Sequence, residues 1–228
     1  MTTHASHNRA FSVIELFIVA LLIVAMAAVA ISIGSTTLNG SQLSQAERIL
    51  TDQFKLARQQ AVTRNHHVEV RLIRYGTPET PGESASDPST GFYRAVQLLE
   101  VLDNGSVVPL DKPQLLPQSV VINAGEPSTL LSHSDLQPAR HASKDAAADG
   151  TGGDPSLPRG VEWNYEYVSF RFLPDGGTNL NSTNGVIWSA TLQNMNVKPA
   201  SARLPENFVT LQLDPVAGTV RLFRPSVS

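Results

Sequence analysis

The sequence predicts an α+β chain in which a long N-terminal helix, transmembrane over its first half, packs its second half on an antiparallel β-sheet domain. Three observations carry this expectation. No residue from Leu16 to Ile31 is polar. Leu43, Ala46, Leu50, Phe54, Ala57 and Ala61 recur at steps of three and four, the spacing of one helical face. From His67 onward, short segments of period-two alternation are separated by turns rich in Gly, Pro and Asp. At 228 residues the chain has room for one membrane segment and one domain of about 150 residues. A net charge of -3 gives no overall basic field for nucleic acid. The absence of cysteine excludes disulfides, thiolate metal sites and cysteine nucleophiles.

The first element is the apolar span, residues 11–33, in which Ser12, Glu15 and Ser32 alone interrupt the hydrophobic run. About 20 apolar residues are what a helix needs to cross roughly 30 Å of hydrocarbon. Arg9 precedes the span and the next basic residue is Arg48, so the positive-inside bias places residues 1–10 in the cytoplasm and the rest outside. Three readings compete. The span is a secretory signal cut after Ala30, where Ala28–Ala30 offers small residues; or it is a plain anchor with Glu15 reaching the interface. In the third, residues 1–10 are a short polar leader, removed before a helix that stays on the mature chain. Neither of the first two requires Glu15, a carboxylate whose burial at the bilayer centre costs roughly 2.5–3.5 kcal/mol.

The order of a small residue (Ala10), Phe11, three residues, Glu15 and an unbroken apolar helix resembles the type IV prepilin family. The resemblance implies a pilin-like fold, cleavage by prepilin peptidase between Ala10 and Phe11, N-methylation of Phe11, and an assembly role for Glu15. In such filaments the glutamate is thought to neutralise the freed α-amino group of a neighbouring subunit. A carboxylate in a low-dielectric core needs such a cation. The family usually has Gly where this chain has Ala10, which keeps the small-residue requirement. The resemblance also implies other pilin or pseudopilin subunits as partners, a single pass through the inner membrane and a periplasmic domain.

Residues 34–65 read as the amphipathic continuation of the helix, locally loosened at Gly34 and Gly40. Running unbroken from Phe11 to about Asn65, it would span roughly 80 Å. Its charged face, including Glu47, Arg48, Asp52, Lys55, Arg58 and Arg64, is expected to be solvated.

Residues 66–228 read as a β-rich globular domain. HVEVRLIRY from His67 is a strand with Val68, Val70 and Leu72 on one face. A loop, Gly76–Gly91, leads to FYRAVQLLEVLDNGSVVPL, a hairpin turning at Asp103-Asn104-Gly105. Further strands are expected at Ser119–Asn123, Tyr167–Leu173, Val186–Gln193, Phe208–Leu213 and Thr219–Phe223, the last two closing a hairpin through DPVAG. Residues 133–160 lack apolar periodicity and read as an exposed or disordered insertion. The helix running straight into a strand, FRFLPDGG and the terminal hairpin resemble the GspH/FimT-like minor pseudopilins. The long loops and first hairpin resemble, more narrowly, the Verru_Chthon cassette protein D group.

Residues that carry chemistry are few. His66 and His67 would point to opposite faces of a strand, so joint metal ligation is not expected. Asp175 beside Gly176-Gly177 suggests calcium only by analogy with some pseudopilins and reads better as a turn. No phosphate-cradling loop, GxSxG or HExxH is present. No enzyme activity, cofactor or metal is expected. Arg58, Arg64, Arg71 and Arg74 form the one candidate nucleic-acid contact, a weak one, because Glu69 offsets it and no aromatics interleave. Nucleic acid is therefore not expected as a partner. The leading expectation is a minor pilin or pseudopilin of a type II secretion or type IV pilus-like filament. The alternatives are a filament-tip module holding DNA or a secreted substrate, and a secreted soluble β protein.

Overall fold

The computed structural model describes residues 13–141, 157–158, 160–183, 185–195, 204–205 and 207–225, with backbone alone at 27–39 and 141. Helix α1 runs Val13–Arg64 and shows no break at Gly34 or Gly40. The chain divides into two compact units, Met1–Gly40 and Ser41–Ser228, so the two parts of α1 are described separately.

In the first unit, the large apolar side chains from Val13 to Met26 are exposed, from 53% at Ile18 to 86% at Val13. They cover every side of the helix, because consecutive residues are involved. Among the described residues no helix is long and apolar enough to cross a membrane. The described side chains of this stretch end at Met26, and the remainder of the 11–33 span lies outside them at both ends.

In the second unit, α1 contributes one buried stripe. Ala46, Leu50, Phe54, Ala57 and Ala61 are 0% exposed and Leu43 is 4%. The helix stops where Asn65 takes a left-handed conformation, φ 56°, a common way to end a helix. The chain then enters the sheet directly.

Among the described residues ten strands follow: β1 His67–Tyr75, β2 Phe92–Val101, β3 Val107–Pro109, β4 Gln114–Leu115, β5 Val120–Ile122, β6 Ala139–His141, β7 Tyr165–Phe172, β8 Trp188–Asn194, β9 Phe208–Leu213 and β10 Val220–Phe223. They form one antiparallel sheet in the order β10-β9-β8-β5-β2-β1-β7-β6, with β3 and β4 also on β2. β2 pairs with β1 along its length, while β3, β4 and β5 take successive stretches of its other edge. A short helix, α2 Thr129–Ser132, precedes β6. The β9–β10 turn is held by Asp214, whose Oδ1 accepts from Val216 N at 2.9 Å and Ala217 N at 3.0 Å. Gly218 closes it at φ 63°, where a Cβ would also strike Gly176 O.

The main core lies between the α1 stripe and one sheet face: Val68, Val70 and Leu72 of β1, Phe170 and Phe172 of β7, and Trp188, Ala190 and Leu192 of β8. Phe54 meets the ring of Phe170 edge-on at 5.4 Å. The opposite face of β1 is buried as well. Glu69 is 4% and Arg71 2% exposed, and a second cluster joins Ile73, Tyr75, Ala95, Leu157, Val161 and Tyr165. Period-two alternation in β1 marks the first face correctly and leaves the second unread, because charged residues there are buried as pairs.

The segment 133–160, read as exposed or disordered, contributes structure at its ends. Ala139–His141 pairs with β7 as β6, the His133 ring packs 4.9 Å from that of Trp188, and Leu157 is 3% exposed. Pairing to β7 and contact with the second cluster supply what the segment's own composition lacks. Residues 142–156 lie outside the description.

Candidate functional site

Ala10 and Phe11, where the sequence places processing, lie outside the described residues. Glu15 occupies the first turn of α1 and is exposed. Around it the surface is apolar: Val13, Ile14, Leu16, Phe17 and Ile18 are each more than half exposed. Fully covering one such side chain gains roughly 1.5–3 kcal/mol. Single apolar residues scattered on a surface are ordinary, whereas a contiguous exposed run of this kind is not.

The four arginines singled out by sequence are not brought together as one cationic surface. Arg58 donates from Nε to the backbone carbonyl of Gly176 at 3.1 Å, tying α1 to the turn after β7. Arg64 donates to Glu100 Oε2 at 2.6 Å and to Gln60. Arg71 is buried, donates to Glu69 at 2.8 Å and stacks 4.2 Å over the Tyr167 ring. Arg74 pairs with Glu166 beside the Tyr93 ring. Arg171, which sequence reading passed over, donates to the other oxygen of Glu69 at 3.0 Å. The signal for this network was present in the i, i+2 placing of Glu69 and Arg71 on one strand face. Of these charges Arg71 and Glu69 are the buried ones, and a buried ion pair fixes the strands that carry it.

The two histidines part as expected for residues at a helix–strand junction. His67 is exposed. His66 shares a 2.7 Å hydrogen bond between Nδ1 and Glu100 Oε1, and Asp103 lies 3.8 Å from its Nε2. The bond to His66, then that to Arg64, hold the Glu100 carboxyl below its ordinary range. Asp175 uses Oδ1 to accept from Gly177 N at 2.9 Å, a turn-forming role. Among the described residues no group of three or more His, Asp or Glu is gathered for a metal. A cleft of about 580 Å³ runs along Lys55, Arg58, Gln59 and Val62 beside Thr219. No described pairing in it sets a nucleophile beside a base, as catalysis of that kind requires.

No protein-family model matches the chain, and no curated protein is similar enough to count as a relative. Solved structures of the minor pseudopilin EpsH from the type 2 secretion system of Vibrio cholerae are similar to it. One aligns with a TM-score of 0.39 and 9% identity over 81% of this chain and 98% of that one. Another aligns with a TM-score of 0.37 and 11% identity over 83% and 98%. At that level of similarity neither function nor assembly transfers from one chain to the other.

Proposed function

We propose that this chain is a minor pilin or pseudopilin-like subunit of a type II secretion or type IV pilus-like filament. Its role is assembly rather than catalysis. Prepilin peptidase cuts between Ala10 and Phe11, the new Phe11 terminus is methylated, and residues 11–33 hold the protein in the inner membrane with the domain in the periplasm. The helix then moves from lipid into the filament core and packs against other subunits.

The observation that carries this reading is the apolar wrap from Val13 to Met26, exposed on all sides of a helix with a carboxylate in its first turn. Lipid satisfies the apolar side chains but not Glu15. A filament core satisfies both, if the neighbour's N-terminal ammonium faces the glutamate. The test compares wild type with Glu15→Ala at equal membrane levels, scoring crosslinked recovery with filament partners. The variant is expected to insert and be cleaved normally, since removing the charge lowers insertion cost by about 2–3 kcal/mol, but to be lost from the filament. Equal recovery of the two proteins would refute the pairing role.

A further inference from the structure

The loop that joins β1 to β2 is organised around a buried ion pair. Glu83, whose side chain is 2% exposed, accepts from Thr77 N at 2.8 Å and from Arg94 Nη2 at 2.7 Å. The Arg94 guanidinium lies 5.5 Å from the ring centre of Tyr75 and 5.3 Å from that of Phe92. Burial, more than any nearby charge, pushes the Tyr75 hydroxyl up to about 12. In so dry a setting each guanidinium N–H needs an acceptor. Arg94 Nε is buried without one among the described residues, and Nη1 has only a long contact, 3.5 Å, to Thr77 Oγ1.

Beside this cation is a cavity of about 310 Å³ lined by Tyr75, Thr77, Arg94, Leu115, Leu116, Pro158 and Met195, where Met195 Sδ also accepts from Arg94 Nη2 at 3.7 Å. That volume is at the small end of the roughly 300–1,000 Å³ typical of ligand sites, and its mixture of apolar wall with one polar anchor is typical too. Glu79 stands exposed at its edge.

We propose that the cavity binds a neutral, leucine-sized apolar group carrying a carbonyl oxygen, as a capped amino acid or a stretch of neutral peptide presents it. The apolar part packs on Leu115, Leu116, Pro158 and Met195, and the carbonyl accepts from Arg94 Nη1, whose Thr77 partner also lines the cavity. Charge decides the class. Glu83 already neutralises Arg94, and Glu79 adds a negative charge, so a carboxylate ligand meets excess acid where an amide meets none. This assignment is independent of membrane anchoring.

The chain contains three methionines, Met1, Met26 and Met195, so methyl-labelled methionine in the full-length protein in micelles reports the cavity through Met195. Met26 reports any partition of the probe into detergent. N-acetyl-leucine methylamide is expected to shift the Met195 methyl saturably, and N-acetyl-leucine, with its free carboxylate, to bind about tenfold more weakly. Replacing both charges, Glu83→Gln with Arg94→Gln, is expected to weaken the neutral probe about tenfold without leaving an unpaired buried ion. Leu115→Asp, at a position 39% exposed, should weaken it in a protein whose fold is unaltered. A neutral six-residue peptide with central leucine separates the two sources: binding by both probes assigns the site to a chain segment, and binding by the capped residue alone assigns it to a free small amide. An unmoved Met195 methyl, equal binding of the amide and carboxylate probes, or unchanged affinity in Leu115→Asp would overturn the proposal.

Discussion

Glu100 joins three parts of the domain through one carboxylate. Its oxygens take Arg64 from the end of α1 and His66 from the junction with β1, while it sits on β2 itself. Because the folded-state pKa is depressed, this contribution is present above the unfolded carboxylate value of about 4.3 and is lost as pH falls through the lower folded value. Glu100→Gln is therefore expected to lower stability at pH 7 by about 1 kcal/mol, less than a fully buried charged hydrogen bond contributes because Arg64 is half exposed. The gap between variant and wild type should close in chemical denaturation carried out below about pH 4. A gap unchanged by acid would mean that the side chain acts through packing. At this scale the sequence was partly legible. The residues with unusual surroundings, His66, Arg71 and Glu69, stood out by type and spacing. The burial of Arg71 and Glu69 did not, because the groups that meet them, Tyr167 and Arg171 of β7, are about a hundred residues away in sequence.

At the scale of elements, the amphipathic part of α1 and the longer strands were readable because each carries its own period. All six stripe residues from Leu43 to Ala61 are buried; of the expected strands, His67–Tyr75 and Phe208–Leu213 have the expected bounds, and those near residues 120, 167, 186 and 219 are present with shifted ends. β4 and β6 were not readable. Each has two or three residues, too few for alternation, and exists only because β2 and β7 offer an edge. β8 misleads in another way. Its polar residues Ser189 and Thr191 suggest a solvated face, but Ser189 Oγ and Thr191 Oγ1 both donate to Pro127 O, at 3.1 Å and 2.7 Å, so the loop before α2 covers that face. The helix–sheet contact should dominate stability. Phe54→Ala removes a ring that is 0% exposed and edge-on to Phe170, and is expected to cost about 3–5 kcal/mol. A loss under about 1 kcal/mol in urea unfolding would show that the α1 stripe is not the domain's main support.

For the whole molecule, the division after Gly40 makes a structural prediction. Residues 41–228 retain the complete α1 stripe and every strand, so they are expected to stay in solution without detergent and to show mixed helix and sheet by circular dichroism. Aggregation, or a spectrum with little β structure, would place the boundary elsewhere. The proposed processing site is legible only as a pattern of residue types, because cleavage and methylation would be acts of other proteins. The central claim is that residues 1–10 are removed and the apolar helix is kept. Intact mass of the protein extracted from membranes tests it most directly. The expected mass is that of a chain beginning at Phe11 with one added methyl group. A chain beginning at Ile31, or one retaining residues 1–10, would contradict the account.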